Sequence, residues 1–348
     1  MDERGGPPAC AKPLRRRQAR LRPFAAAGLR RLGQVAVLLL VAFVAAAALL
    51  ALGFGGEAVW RRLAALSPGL VVGLLGLSLV NYAARGWRWL VFSRRLGLAV
   101  PAARGVLYFV AGFAFTATPG KVGEGLRLWL IERSYGYGYA RLAPLFVGDR
   151  LSDLHGIVLL CLAGAAGLPS AAGPAAVVAG AVLLLTAGLV HPRPLRRLVG
   201  AVHAVAGGRA SRLFARLRMA LQRCRRLFAA DVYPVALLLS VVGWSAEAAA
   251  FYWLLDALGA PVPPLQAAFV FGFSIAVGAL TLLPGGLGGT EATMLGLLLA
   301  LGVDSETALV ATAVIRVTTL WFGVGLGFAA LPFALRHARR DNLAAAWR

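Results

Sequence analysis

The feature that most constrains this chain is the length of its uncharged apolar runs. Val35 to Leu52 is 18 consecutive apolar residues, and Ala257 to Thr290 contains no Asp, Glu, Lys or Arg. As a helix, a run of about 18 residues or more spans the hydrocarbon core of a bilayer. Composition agrees: 59% of residues are hydrophobic and 14% charged, where a soluble domain carries about 25% charged residues. The expectation is an all-α, polytopic membrane protein. The bilayer ruler predicts about six spanning helices, at 33–54, 68–84, 145–168, 174–190, 233–255 and 307–332.

The 36 basic and 14 acidic residues leave a net charge of +22. This charge does not point to nucleic acid, because the arginines cluster in the short polar gaps between apolar runs, the pattern of cytoplasmic loops. On that reading residues 1–32 form a disordered basic cytoplasmic tail, too long for an ordinary cleaved signal. Residues 33–335 form the transmembrane domain, with 191–231 as a cytoplasmic amphipathic loop, and 336–348 form a second cytoplasmic tail. Between Ser211 and Phe228, Arg212, Arg216, Arg223 and Arg226 share one helical face opposite Leu213, Leu217, Leu221 and Cys224, as in an interfacial helix on anionic phospholipid. Cys10, Cys161 and Cys224 have neither metal-like nor disulfide-like spacing, so no metal or cofactor is expected.

Two apolar stretches, about 105–133 and 265–301, are broken by Thr118-Pro119-Gly120-Lys121-Val122-Gly123-Glu124 and by Pro284-Gly285-Gly286-Leu287-Gly288-Gly289-Thr290-Glu291. Helices do not run through such sequences. If the Arg-rich segments 85–104, 193–226 and 336–348 share the cytoplasmic side, each broken stretch enters and leaves on one face, as a re-entrant helical hairpin. Parity brings the first in from the cytoplasm and the second from outside, leaving Arg61 and Arg62 as a discrepant pair in an outer loop. The hairpins also match in spacing: Arg150 follows Glu124 by 26 residues and Arg316 follows Glu291 by 25. Opposed copies of one unit are an inverted repeat, the architecture of many transporters, with half-helix N-termini near the midplane as anion sites.

Glu124, Arg127, Asp149, Arg150, Asp153, Glu247, Glu291 and Arg316 lie in or beside apolar segments, where a lone charge costs about 3 kcal/mol on insertion scales. The repeated spacing predicts Glu124 paired with Arg150 and Glu291 with Arg316, either to bind a ligand or simply to lock the hairpins to the bundle. Arg127 has Met294 at the matching place in the second copy, which makes it a candidate for a phosphate headgroup. His155, near Asp149 and Asp153 in sequence, reads either as a proton relay or as a hydrogen-bonded structural histidine.

Taken in order, Asn81-x-x-x-Arg85-x-x-Arg88-Trp89, Thr118-Pro119-Gly120 through Glu124-x-x-Arg127, Asp149-Arg150-x-x-Asp153, and Leu283-Pro284-Gly285-Gly286-x-Gly288-x-x-Glu291 with Arg316 resemble the lysylphosphatidylglycerol synthase transmembrane family, which is flippase-like. The resemblance implies a non-enzymatic membrane domain that carries a lipid between leaflets of the inner cell membrane. The substrate-binding residues expected are Pro119, Gly120, Glu124, Arg127, Arg150, Asp153, Pro284, Gly285, Glu291 and Arg316. The expected partners are membrane lipid, with an envelope-biosynthesis enzyme if the chain is instead an accessory scaffold docking through its 193–226 loop.

Overall fold

The computed structural model describes residues 56–118, 122–168, 172–190, 222–281 and 283–345, with 31, 34–35, 37–45 and 49 of the first apolar run. Residues 1–30, Pro119, Gly120, most of the 191–231 loop and 346–348 lie outside them. The described residues are helical, without strands. The helices are α1 (Gly56–Ala64), α2 (Pro68–Arg95), α3 (Ala102–Ala111, continued as a 3₁₀ turn over Gly112–Phe115), α4 (Val122–Tyr135), α5 (Tyr139–Ala165) and α6 (Ala172–Val190), followed by α7 (Tyr233–Ala257), α8 (Pro264–Leu280), α9 (Gly289–Ala300), α10 (Ser305–Arg316) and α11 (Phe322–Ala345). A π turn over Val317–Trp321 joins α10 to α11. Among the described residues, three helical units are long and apolar enough to cross a membrane: Pro68–Arg95, Tyr233–Ala257 and Ser305–Arg339.

Helix boundaries follow local chemistry. The Ser67 hydroxyl accepts from the Leu70 N–H at 3.2 Å and Pro68 occupies the first turn, where its missing N–H costs nothing, so α2 starts there. Asp304 caps α10 through the Thr307 N–H at 2.9 Å. The sequence-based end of the second span at 84 is corrected: α2 continues to Arg95, and Arg85 and Arg88 lie within it rather than in a loop. The last helix likewise runs beyond 335, to Ala345.

α2 and α7 pack antiparallel along their length: Gly73 lies under the Trp253 ring, Asn81 against Gly243, and Arg88 on Ser240. The C-terminal end of α2 therefore lies with the N-terminal end of α7. At that end the first broken stretch begins and finishes: the Ala99 N–H donates to the Tyr137 hydroxyl at 2.9 Å and Arg141 to the Gly97 carbonyl at 2.7 Å. Between these points α3 and α4 form an antiparallel pair, tied by Tyr108 and Ser134 hydroxyls at 2.7 Å and by backbone contact of Gly123 with Gly112. The second broken stretch begins and finishes at the opposite end. Gln266 donates to the Gly167 carbonyl at 3.0 Å beside the end of α5, and Asp304 pairs with Arg62 of α1 at 3.1 Å. Here α8 and α9 pack antiparallel, with Gly278 against Thr290 and Gly289 against Thr281. The discrepant Arg62 thus has an acidic partner, and Arg61 faces Glu57 on its own helix at 3.9 Å.

Each helical pair sits in its own apolar core. One cluster packs α8 and α9 against α7, α10 and the end of α5, around Phe251, Phe271, Met294 and Leu298; the other packs α3 and α4 against α2 and α11, around Phe92, Phe109, Phe115 and Leu130. The tips of the two pairs meet: a Cβ built on Gly285 lies 3.3 Å from the Ala117 Cα.

Candidate functional site

The polar residues of α2 recur on one face. Ser78, Asn81 and Arg88 are fully buried while Val72, Leu79, Val80 and Trp87 point outward. Apolar outside and polar inside is the arrangement required of a helix bathed in lipid, because an inward charge has partners and an outward one has none. Opposite Arg85 and Arg88, α5 supplies Asp149 and Asp153, four residues apart and hence on one face. Arg88 reaches Asp149 at 2.5 Å, Asp153 at 2.8 Å and the Ser240 hydroxyl at 2.5 Å. Asp153 also accepts from Arg85 at 2.9 Å and from the Trp244 indole at 3.3 Å, and forms an ion pair with Arg150 at 3.0 Å. Arg85 lies over the Trp244 ring at 5.4 Å.

The two pairs inferred from the repeated spacing both form. Arg150 is 3.1 Å from Glu124, and Arg316 is 2.6 Å from Glu291. Their surroundings differ. Arg150 also meets Asp149 at 3.3 Å and Asp153, so Glu124 is one of its three carboxylate neighbours. Glu291 is the carboxylate that Arg316 meets among the described residues. Its other oxygen accepts the Gly288 N–H at 2.7 Å, and Arg316 donates to the Gly285 carbonyl at 2.8 Å. This second pair clamps its tip, where Gly285, Gly286 and Gly288 adopt φ of 61°, 70° and 83° that only glycine takes readily.

The tips, the C-terminal half of α2, α7 and the α10–π turn segment line a half-open cavity of about 500 Å³. Its charged lining consists of Arg85, Glu124, Arg150, Glu247 and Arg316, set among Tyr82, Thr116, Thr118, Trp244 and Thr290. Glu247 is 5% exposed and interacts electrostatically with Arg85 and Arg316 of the same lining, without a close ion pair among the described residues.

Of the ten expected site residues, Glu124, Arg150, Gly285 and Arg316 line this cavity, Glu291 holds Arg316 from behind, and Asp153 is buried in the adjoining ion cluster. Pro284 opens the second tip, and Pro119 and Gly120 lie outside the described residues. Arg127 is placed elsewhere than a headgroup would need. Its side chain is 2% exposed, with the guanidinium 4.0 Å from the Phe109 ring centroid and 5.0 Å from that of Phe113, and 3.7 Å from Asp149. Met294, its counterpart, is equally buried, so both positions serve as packing knobs of their helical pairs. His155 is hydrogen-bonded to the Leu151 carbonyl at 2.6 Å and to the Thr186 and Tyr233 hydroxyls at 3.0 and 2.8 Å, partners that suit a structural histidine.

Sequence reasoning passed over Arg85, Glu247, Tyr82 and Trp244 as site residues. The available signal was the i, i+4, i+7 spacing of Asn81, Arg85 and Arg88, which sets one polar stripe on a helix. Among the described residues no group of His, Cys, Asp and Glu has the arrangement of a metal site.

Fold and site together define a helical membrane protein whose two broken-helix pairs meet, tip to tip, beside a half-open charged cavity. The model for the lysylphosphatidylglycerol synthase TM region matches residues 32–327, and the chain belongs to that family. Among curated proteins it is similar to a UPF0104 membrane protein of Pyrococcus horikoshii, 34% identical over 111 residues, covering 32% of this chain and 31% of that protein. It is also similar to a UPF0104 membrane protein of Methanothermobacter thermautotrophicus, 32% identical over 95 residues, covering 27% and 28%. The chain thus spans less than a third of the length of either relative.

Proposed function

We propose that this protein moves a lipid between leaflets, binding its anionic headgroup in the cavity between the two tips. The observation that carries this reading is the meeting of the tips, Gly285 against Ala117, over a cavity whose wall includes Arg85, Arg150 and Arg316. A phosphate offers the guanidinium groups the same forked acceptor geometry as a carboxylate. In this mechanism the headgroup competes with Glu124 for Arg150 and with Glu291 for Arg316, and loosens the salt bridges that hold each tip. The N-termini of α4 and α9 open toward the same space and favour negative charge there.

In this reading the helical pairs are re-entrant hairpins of an inverted repeat, set within about six spanning helices. Their attachment at opposite ends of the antiparallel α2–α7 pair supports it. Charge supports the orientation: Arg94, Arg95, Arg104, Arg141, Arg225 and Arg226 belong to the end where α2 finishes, which the positive-inside rule assigns to the cytoplasm of the inner cell membrane. The reading is of transport and not of catalysis.

The test is translocation of fluorescent phosphatidylglycerol by the protein reconstituted in vesicles, followed by dithionite quenching of the outer leaflet. Wild type accelerates the loss of protected fluorescence, and Glu124→Ala and Glu291→Ala, expressed at wild-type levels, do not. Wild-type translocation by both variants rejects the site.

A further inference from the structure

A second hollow, of about 420 Å³, lies between α2, α3 and the α11 side chain Leu326. Its lining is apolar apart from one phenol: Leu79, Ala83, Trp87 and Leu90 on one wall, Val106 and Val110 on the other. It shares Tyr82 and Phe113 with the charged cavity. These two rings stand 4.9 Å apart, and the Tyr82 hydroxyl donates to the Thr319 carbonyl in the π turn. A single pair of aromatic rings therefore separates a pocket rich in arginine from one lined by hydrocarbon. The outer edge of the apolar hollow is open to the bilayer, since Trp87 is 65% and Leu79 46% exposed.

We propose that this hollow is the binding site for one hydrocarbon chain of the same lipid whose headgroup occupies the charged cavity, with Tyr82 and Phe113 forming the portal between the two. The inference rests on the transport reading and adds the chemistry of the tail. The ligand is an amphiphile that keeps a chain of its own inside the protein while the headgroup is bound. The shared wall of Tyr82 and Phe113 sets this groove apart from the remainder of the lipid-facing surface, because here an apolar hollow abuts the arginine-lined cavity. The volume falls within the roughly 300–1,000 Å³ of small-molecule sites. Gly86 and Phe109 form the floor, packed together so that a Cβ on Gly86 would touch the Phe109 ring at 3.5 Å.

Two photoprobes test this in the purified full chain: phosphatidylglycerol with a diazirine midway along one acyl chain, and phosphatidylglycerol with the diazirine on the headgroup. The tail probe is expected to label α2 and α3 within 79–90 and 106–113, and the head probe to label Thr116, Thr118 or Glu124. Ala83→Phe fills the groove from an exposed position and Val106→Trp does so from the other wall. Each is expected to cut tail labelling about tenfold, the effect of expelling two methylene groups from an apolar site, with head labelling retained. Tail labelling spread evenly over lipid-facing residues such as Leu183 and Leu238, and unchanged in both variants, means annular lipid only and overturns the proposal. Groove labelling without head labelling of the cavity rejects the cavity reading and, with it, a shared lipid; head labelling of the cavity without groove labelling rejects the tail site alone.

Discussion

Glu124 and Glu291 occupy equivalent places in the two helical pairs, yet their neutralisation is predicted to have unequal consequences. Glu291→Gln removes the carboxylate that Arg316 meets at 2.6 Å, in a pair whose side chains are 5% and 20% exposed. Breaking a fully buried pair costs about 3–5 kcal/mol. Glutamine keeps an oxygen for the Gly288 N–H and Arg316 keeps its bond to the Gly285 carbonyl, so the expected cost is about 2–3 kcal/mol, the value of one charge-assisted hydrogen bond. Glu124→Gln leaves Arg150 with Asp149 and Asp153 at 3.3 and 3.0 Å, and that pair is more open, at 25% and 14% exposure. Its expected cost is about 1 kcal/mol or less. The assay is reversible unfolding in mixed micelles by added dodecyl sulfate, read by tryptophan fluorescence. Trp321, in the turn directly after Arg316, reports on the clamp. A double cycle of Glu291→Gln with Arg316→Gln should return a coupling of about 2 kcal/mol. Equal costs for the two glutamates, or a larger one for Glu124, would refute the reasoning from neighbour count.

Other consequences are local. Asp153→Asn strips one carboxylate from a cluster holding Arg85, Arg88 and Arg150 and is predicted to lower stability by about 3–5 kcal/mol, measured in the same unfolding assay. Glu247→Gln removes a carboxylate that is 5% exposed and forms no close ion pair among the described residues, so the protein should be at least as stable as wild type in that assay while the rate of lipid translocation changes. Gly123→Ala drives a Cβ into the Gly112 carbonyl oxygen and is expected to lower the yield of folded protein in size-exclusion profiles. Its neighbour Gly125, with nothing within 4 Å of an added Cβ, should accept alanine with a gain of about 0.5–1 kcal/mol.

The two helix breaks were legible because proline and glycine clusters punctuate otherwise apolar runs, and helices do not run through such sequences. The Glu124–Arg150 and Glu291–Arg316 contacts were legible because a charge in an apolar segment demands an opposite one, and a near-identical spacing recurs in both copies. What stayed hidden depends on distant parts of the chain. Arg85 and Arg88 look like the end of a span, since arginine ordinarily marks the membrane boundary. Only Asp149 and Asp153, 61 to 68 residues further on, make them interior residues. Arg127 reads as a headgroup contact for the same reason: nothing local announces that α2 and α3 supply Trp89, Phe109 and Phe113 around it. The cavity itself, with Glu247 on its wall, exists only once both tips are in place.

The most direct test of the central claim uses single cysteines introduced after replacing Cys10, Cys161 and Cys224, and an impermeant maleimide applied to right-side-out and inside-out vesicles. Ala102→Cys and Gly138→Cys, at the base of the first pair, should label from the cytoplasmic side alone. Pro261→Cys and Glu306→Cys, at the base of the second, should label from the opposite side alone. Labelling of Ala102→Cys and Gly138→Cys from different sides would mean that the first pair crosses the membrane, and would contradict two opposed hairpins meeting tip to tip.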